Sequence, residues 1–154
     1  MAIDVIDEKL LAVLQENARI SISELSKRIN LSLSAVSERL KKLEASGVIQ
    51  QYTAILNPSE MQKNVLAILT VSVTGNPKNC DFVKYVKNND AIMSCTRVTG
   101  AFDYIATVCA RDASELQNYF DEIKGIHGVT GVVSSILLDD VKRRYSVPPI
   151  ATKQ

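Results

Sequence analysis

The sequence predicts an α+β protein of two domains, because two different apolar patterns divide its 154 residues. In the first third, apolar residues recur at spacings of three and four, which is typical of short amphipathic helices. After the turn signal Asn57-Pro58, apolar runs typical of strands alternate with further helical segments. The apolar fraction of 46% and the charged fraction of 23% are ordinary for a globular chain.

Three short helices are predicted in the first domain. The first spans Asp4 to Asn17, with Asp4 as its cap and with Asp7 and Glu8 near the positive end of the helix dipole. Its buried stripe is expected to consist of Ile6, Leu10, Leu11 and Leu14.

The second and third helices are marked by their caps. Ser21 and Glu24 have the spacing of a capping box, and Asn30 tolerates the left-handed conformation that ends a helix. Ser32 can cap the third helix, and Gly47 stands where a glycine commonly terminates one. The buried positions of the third helix are expected to be Val36, Leu40 and Leu43.

The exposed side of the third helix carries small polar residues at its N-terminal end and basic residues further on. Short side chains allow a helix tip to enter the major groove, while flanking cations meet phosphates. The expected base contacts are Ser34, Ala35, Ser37 and Glu38, and the candidates for phosphate contacts or intradomain pairing are Arg39, Lys41 and Lys42. Two amphipathic helices joined by a turn are also common in all-α proteins that bind no DNA, and the pattern alone does not separate the two possibilities.

The stretch from Val48 to Leu56 is rich in strand-forming residues. We expect Val48 to make the hydrophobic contact that follows a terminating glycine. The rest is predicted to be a short strand, either in a winged variant of the helix-turn-helix or in a linker.

The apolar pattern in the second half of the chain predicts the element order β-α-β-β-α-β. The predicted strands are 65–73, 91–99, 104–110 and 129–138, with a turn at Asn76-Pro77 after the first. The predicted helices are 79–89, with Phe82, Val83 and Val86 inward, and one opened by Asp112 and Glu115, with Leu116, Phe120 and Ile123 inward. This order is that of a ferredoxin-like sandwich, which has helices on one face of its sheet only. A second copy of the chain is the simplest cover for the other face.

Composition limits the classes of function. No apolar run reaches the roughly 18 residues of a membrane span, and the acidic N-terminus is unlike a signal peptide, so we expect a cytoplasmic protein with no membrane partner. Three widely spaced cysteines, expected to be reduced and mostly buried, argue against a disulfide framework or a metal site, as does a single histidine, His127, expected at the surface. Because motifs for a nucleophile, a phosphate or a dinucleotide are missing, neither an enzyme nor a cofactor is expected. The net charge of +1 gives little long-range attraction to DNA, so DNA binding is expected to require several copies acting together.

The turn from Thr99 to Asp103 is the recognition candidate of the second half. Gly100 lets a ligand come close, and the carboxylate of Asp103 can pair with an ammonium group. A β-hairpin loop in which the glycine and the aspartate serve only the turn explains the same residues, and the pattern alone favours that interpretation.

Seven short motifs extend over most of the chain. They are D-x-x-D-x-x-x-L-x-x-L-Q (4–15), A-R-I-S (18–21), E-L-S-K-R (24–28), L-S (31–32), E-R-L-K-K-L-E-x-x-G-V-I (38–49), Y-T-A-x-L-N-P (52–58) and V-T-G-x-x-D-Y (98–104). With these motifs the chain resembles the leucine-responsive regulatory protein/AsnC family of transcription regulators. Asn30 stands where that family often has glycine, and Ser134 where it often has threonine.

The resemblance implies a DNA-binding motif from Ile22 to Lys41 and a C-terminal domain that binds small effectors, typically amino acids. It also implies dimers that assemble further, often into octamers, with effector sites between dimers near the loop Gly100 to Asp103. The DNA-binding residues so implied are Ile22, Ser32, Leu33, Ser34, Ala35, Ser37, Glu38, Arg39, Lys41 and Lys42. The effector-binding residues so implied are Thr99, Gly100, Asp103, Tyr104 and Ser134.

The predicted organisation is a three-helix (winged) helix-turn-helix domain at 1–50, a linker strand and turn at 51–63, a ferredoxin-like domain at 64–141 and a tail at 142–154. The predicted function is that of a sequence-specific, amino-acid-responsive transcription regulator that binds double-stranded DNA as a multimer of dimers. The alternative is an architectural protein that wraps DNA without an effector.

Overall fold

A computed structural model describes residues 2–75 and 80–149 of the chain. In those residues the helices are α1 (Val5–Glu16), α2 (Ile22–Ile29), α3 (Leu33–Ala45), α4 (Asp81–Lys87) and α5 (Ala113–Lys124), and the strands are β1 (Val65–Val73), β2 (Ile92–Arg97), β3 (Tyr104–Ala110) and β4 (Val129–Ile136). They form two compact units, which confirms the predicted α+β class. The helical unit contains α1 to α3 together with the segment that begins at Lys142, and the sandwich unit runs from Ile55 to Val141.

The helical unit has a small core to which each helix contributes. Its fully buried side chains are Leu10, Leu25, Val36 and Leu43. Around them pack partly buried residues that include Leu11, Leu14, Ile29 and Leu40. The apolar stripes predicted from the helical spacing are thereby confirmed except at Ile6, which is not among the residues that pack on this core.

The helix ends follow local sequence signals, with one departure. The hydroxyl of Ser21 accepts from Glu24 N at 3.1 Å, but the carboxylate of Glu24 lies 3.5 Å from Arg28, so the predicted capping box is formed in one direction only. Asn30 adopts the predicted left-handed conformation, with φ of 56°. A complete capping box occurs instead at α1, where the side chains of Asp4 and Asp7 each accept from the other's backbone N–H.

The end of α3 corrects two predictions. Gly47 has φ of +74°, as a terminating glycine requires, but Val48 is 36% exposed and Ile49 packs on the core in its place. The strand predicted up to Leu56 is not formed, since residues 50–57 pair with no strand among the described parts of the chain. A strand requires a hydrogen-bonded neighbour, and strand propensity alone does not supply one.

The sandwich unit has a four-stranded sheet in the order β2-β3-β1-β4, with each adjacent pair antiparallel. This is the predicted ferredoxin-like topology. One face of the sheet packs against α4 and α5 through Phe82, Leu116 and Ile123. Two strands are shorter than predicted, since β2 ends at Arg97 and β4 at Ile136. The turn predicted at Asn76-Pro77 and the helix start predicted at residue 79 lie outside the described residues.

One predicted core residue of the sandwich is wrong. Phe120 is half-buried and is not among the side chains that pack on the core, and its ring centroid lies 5.9 Å from Lys124 Nζ. Tyr119 packs on the core instead. Positions 119 and 120 are one residue apart on the helix, and the i+3 and i+4 spacings from Leu116 fit both equally well.

The other face of the sheet carries the side chains that alternate with the core positions. In register, these are Leu66 and Ile68 on β1, Ile105 on β3 and Val133 on β4. Val133 is 63% exposed. This set, the outer sheet face, is the apolar face for which the sequence predicts a second copy as cover.

The remaining predictions from composition concern single residues. Cys80, Cys95 and Cys109 are half-buried, less buried than predicted, and His127 is exposed, as predicted. None of the helices in residues 2–75 and 80–149 has the length and apolar character needed to cross a bilayer.

Candidate nucleic-acid interface and effector loop

The N-terminal tip of α3 presents short side chains to solvent. The hydroxyl of Ser32 accepts from Ala35 N at 3.2 Å and lies 3.1 Å from the hydroxyl of Ser34. Ser34 is exposed, Leu33 is 55% exposed, and Ile22 at the start of α2 is 43% exposed. The left-handed turn at Asn30 reverses the chain between the two helices, as a helix-turn-helix requires.

The predicted DNA-binding residues of α3 occupy two neighbouring sides of the helix. An open depression of about 470 Å³ is lined by Ala35, Glu38, Arg39 and Lys42 of α3, by Asp7 of α1, and by Asp4 and Ala2, which precede α1. Leu33, Ser34, Ser37 and Lys41 are not part of that lining, and their spacing of three and four places them on one side of the helix. Of the small residues expected to enter a groove, Ser34 and Ser37 lie on this second side and Ala35 lies on the first.

Arg39 is held inside the helical unit. Its Nη1 atom donates to Asp7 Oδ1 and to Asp4 Oδ2, both at 2.7 Å. Hydrogen bonds to Asp4 and then Asp7 raise the pKa of Arg39, and the backbone N–H of Asp7 followed by the Arg39 guanidinium lowers the pKa of Asp4. Of the two roles predicted for Arg39, the geometry is that of intradomain pairing.

Asp7 is the residue of this site that sequence reasoning missed. It is 2% exposed, the one buried charged residue in the described parts of the chain. Its place in the sequence indicates only a favourable position at the end of the α1 dipole. The signal that could have found it is the spacing of Asp4 and Asp7, which is that of a capping box with aspartate in the last position.

The other cations of the unit differ in how they are paired. Lys42 Nζ lies 2.7 Å from Glu38 Oε1, and this pair lowers the pKa of Glu38. Arg28 lies 3.5 Å from Glu24 and 3.8 Å from Glu16. Lys41 is exposed and makes no ion pair with any described residue, so it is the α3 cation that can meet a phosphate without first breaking an existing bond.

The effector loop, residues 99–103, is tied to the end of β1. Asp103 Oδ2 accepts from Val73 N at 2.8 Å, and Asp103 N donates to Val71 O at 3.0 Å. Gly100 has φ of +126° with no atom within 4 Å of where a Cβ would stand, so the backbone conformation, not space, requires glycine here. Asp103 therefore serves the turn, as the simpler of the two sequence interpretations expects.

The predicted effector residues outside this loop, Tyr104 and Ser134, differ in burial and in their place in the sheet. Tyr104 is 5% exposed, with its ring centroid 5.0 Å from that of Phe82. Burial, followed by the contact with Cys80, raises the pKa of Tyr104 to about 12. Ser134 lies on the edge strand β4, paired with Leu69 of β1, and is exposed. Thr99 and Gly100 are exposed beside Asp103.

Comparison with known families covers both units. A model described as a winged helix-turn-helix DNA-binding domain matches residues 3–50, and one described as the Lrp/AsnC ligand binding domain matches residues 66–147. The HTH-type transcriptional regulator FL11 of Pyrococcus furiosus is 32% identical over 95% of this chain and 96% of its own length.

Two solved structures extend the comparison to three dimensions. A Neisseria meningitidis transcriptional regulator in complex with L-methionine is 34% identical, with a TM-score of 0.90 over 96% of this chain and 97% of that one. A feast or famine regulatory protein of Mycobacterium tuberculosis, also complexed with L-methionine, is 28% identical, with a TM-score of 0.87 over 96% of this chain and all of its own. Both likenesses span the helical unit and the sandwich unit.

Proposed function

The chain belongs to the Lrp/AsnC family of helix-turn-helix transcription regulators, and we propose that it controls transcription as a multimer of dimers whose binding to DNA responds to an amino acid. Its relatives are transcription regulators, and DNA binding through the helix-turn-helix is common to them. Beyond this family membership, the proposal specifies which residues contact DNA, that the protein assembles as a multimer of dimers, and that an amino acid is its effector. Since its target is chromosomal DNA, the cytoplasm is its proposed place of action.

The observation that carries the DNA-binding proposal is the exposed tip of α3. Ser32, Leu33, Ser34 and Ser37 leave room for the helix to enter a major groove, and Ser34 and Ser37 can donate to or accept from base edges. Ala35, Glu38 and Lys42 lie towards the depression beside α1, so we assign them to the flank. Ile22 stands at the start of α2, the helix that crosses the DNA backbone in this motif.

Selection of bound sequences from a random duplex pool tests this assignment. We expect Ser37→Ala to relax the preference at one or two base pairs while the affinity for unselected DNA is kept, because base contacts specify and phosphate contacts position. Lys87→Ala, an exposed lysine of α4, is the control. An unchanged selected sequence for Ser37→Ala would remove that residue from the base contacts.

The proposal of a multimer rests on charge and on the outer sheet face. Residues 1–54 contain seven Lys and Arg and seven Asp and Glu, so a single copy of these helices has no net charge with which to attract DNA. Several copies on one DNA molecule multiply weak contacts. Leu66, Ile68, Ile105 and Val133 offer an apolar face that a second copy of the chain can cover.

Sedimentation measurements test the assembly. Val133→Asp places a charge on the outer sheet face and is expected to lower the oligomeric state. Val141→Asp is the matched control, because Val141 is 95% exposed and lies outside the sheet. Equal sedimentation of the two variants and the parent would remove the outer sheet face from the interface.

An amino acid is the proposed effector, with methionine as the first candidate. Two relatives of the same fold were solved with L-methionine. The exposed loop at Thr99 and Gly100 and the carboxylate of Asp103 offer backbone groups and a negative charge suited to an α-amino group. Because the Tyr104 side chain is buried and Ser134 lies on the edge strand β4, the proposed complete site takes residues from a neighbouring copy.

Calorimetry with each amino acid tests whether an effector binds. Two variants of Asp103 separate the role of its negative charge from its role as hydrogen-bond acceptor in the turn. Asp103→Asn keeps an acceptor for Val73 N–H but loses the charge, while Asp103→Ala loses both. We expect both variants to lose the change in DNA affinity that the effector causes in the parent, a coupling of about 1–3 kcal/mol. Affinity for the amino acid equal to the parent's in Asp103→Asn would leave the aspartate as a turn residue only.

The second candidate is a DNA-wrapping protein without an effector. It is favoured by the bond from Val73 N to Asp103, which gives that carboxylate a structural use. DNA affinity and oligomeric size that no amino acid changes would support it.

A further inference from the structure

The polar segment after the sandwich unit is part of the helical unit. Residues 142–149, called the basic tail, cluster with α1 to α3 and not with the sheet from which they follow. The side-chain amide of Gln15 on α1 donates to Ser146 Oγ at 3.1 Å and to Val147 O at 2.5 Å. These two bonds hold the basic tail against the last turn of α1.

The basic tail changes the charge of the DNA-binding unit. The helices alone are neutral, and Arg28, Arg39 and Lys42 are engaged in ion pairs with the unit's own carboxylates. Lys142, Arg143 and Arg144 are all exposed and add three positive charges. The DNA-binding unit as it folds therefore has a net positive charge that its N-terminal sequence lacks.

The anchor ties the segment that carries these charges to the end of α1 that leads into α2, the element that meets the DNA backbone. Gln15 precedes Ser21, the cap of α2, by six residues, and the two positions are joined by the short turn at 17–20. The first helix of a helix-turn-helix crosses the phosphate backbone while the second lies in the groove. Lys142 is four residues from Ser146, so its Cα lies within about 14 Å of the anchor even with the chain extended.

We propose that Lys142 and Arg144 contact phosphates of duplex DNA beside the base pairs that α3 reads, and that Gln15 is the residue that holds the basic tail in position. The proposal rests on the DNA binding proposed above and adds a second, discontinuous part of the chain to that interface. Guanidinium and ammonium groups on an extended, exposed segment fit the regularly spaced charges of a phosphate backbone.

The salt dependence of DNA binding by the full chain tests the proposal. The variant Lys142→Gln/Arg144→Gln is expected to reduce the slope of log K against log salt by about 0.9 for each phosphate that is no longer neutralised, hence by up to about 1.8 per bound protomer. The variant Lys87→Gln/Lys124→Gln removes the same charge from exposed positions of the sandwich unit and is expected to keep the parent's slope. A slope for the tail variant equal to that of the parent overturns the proposal. That result is expected if the basic tail pairs with another copy of the chain and not with DNA.

A second variant tests the anchor. Gln15→Ala removes both bonds to the basic tail without changing any charge. We expect weaker DNA binding and a reduced slope, with oligomeric size and melting temperature unchanged. A Gln15→Ala protein with the parent's affinity and slope overturns the anchoring role. A parent that binds no duplex at low salt contradicts the proposed function itself, whereas a parent that binds and a tail variant with the same slope contradict only this inference.

Discussion

Replacing Asp7 by asparagine tests whether the buried ion pair fixes α3 against α1. The Asp7 side chain is 3% exposed and accepts from Arg39 at 2.7 Å, while Arg39 is 29% exposed and Asp4 is 51% exposed. Asparagine keeps the shape but removes the charge. Losing a hydrogen bond between charged groups costs about 1.5–3 kcal/mol. Removing one partner of a fully buried pair costs about 3–5 kcal/mol, an upper bound here because Arg39 is partly exposed and keeps Asp4.

We therefore expect Asp7→Asn to lower the stability of the helical unit by about 2 kcal/mol, which for a unit of this size lowers its melting temperature by roughly 8–16 °C. Differential scanning calorimetry of the full chain measures the change, with hydrogen exchange at α1 to α3 assigning the transition. Asp4→Asn is the control, since the more exposed carboxylate is expected to matter less.

A double-mutant cycle isolates the pair itself. Arg39→Met keeps the aliphatic packing of the arginine stem, so combining it with Asp7→Asn measures the coupling between the two charges. We expect a coupling above about 1 kcal/mol and a double variant more stable than Arg39→Met alone, because Arg39→Met leaves the buried carboxylate of Asp7 without its charged partner. Asp7→Asn within about 0.5 kcal/mol of the parent, or Asp4→Asn costing more than Asp7→Asn, would refute the reasoning.

Three further predictions concern single residues. Lys41→Ala is expected to weaken binding to all DNA sequences and to reduce the slope of log K against log salt by up to about one counterion. Lys42→Ala is expected to reduce that slope less, because Lys42 is already paired with Glu38. A slope for Lys41→Ala equal to the parent's would remove Lys41 from the phosphate contacts. Asn30→Ala is expected to cost about 1 kcal/mol because alanine disfavours φ of 56°, and Asn30→Gly is expected to keep the parent's denaturation midpoint, so equal midpoints for both would count against the left-handed cap. The backbone N–H of Arg111, followed by Lys63 and Tyr119, lowers the pKa of Glu115 to about 2, so its contribution to stability is present above its ordinary pKa and is lost as the pH falls from about 4.5 towards 2. Melting temperatures recorded through that window are expected to fall less steeply for Glu115→Gln, and parallel curves would contradict this.

The parts of the fold that sequence predicts are those with local causes. Ser21, Asn30, Ser32 and Gly47 each determine backbone conformation within a few residues, and the structure has helix ends at all four. The topology of the sandwich followed from the order of its elements, because few connections satisfy that order.

The parts that sequence did not predict have causes that are distant along the chain. Asp7 meets Arg39 across 32 residues, and Gln15 meets Ser146 across 131, distances over which no spacing rule applies. The failure at Phe120 and Tyr119 is different, since both fit the same helical stripe and only the packing of the sheet distinguishes them. The strand expected after Val48 shows the limit of propensity, because pairing depends on a neighbour that residues 2–75 and 80–149 do not provide.

The bonds from Gln15 to Ser146 and Val147 affect which fragments of this protein, and which label positions, are suitable for DNA-binding experiments. A fragment that ends at Ala54 contains all three helices but lacks the segment that completes their unit. DNA affinities measured on such a fragment would describe an incomplete surface. In the same way, an affinity tag or a fluorescent protein inserted next to Ser146 or Val147 would disturb the segment that packs against α1. A label in an exposed turn of the sandwich unit is the better choice for binding experiments, because Ala2 and Asp4 at the other end of the chain line the depression beside α3.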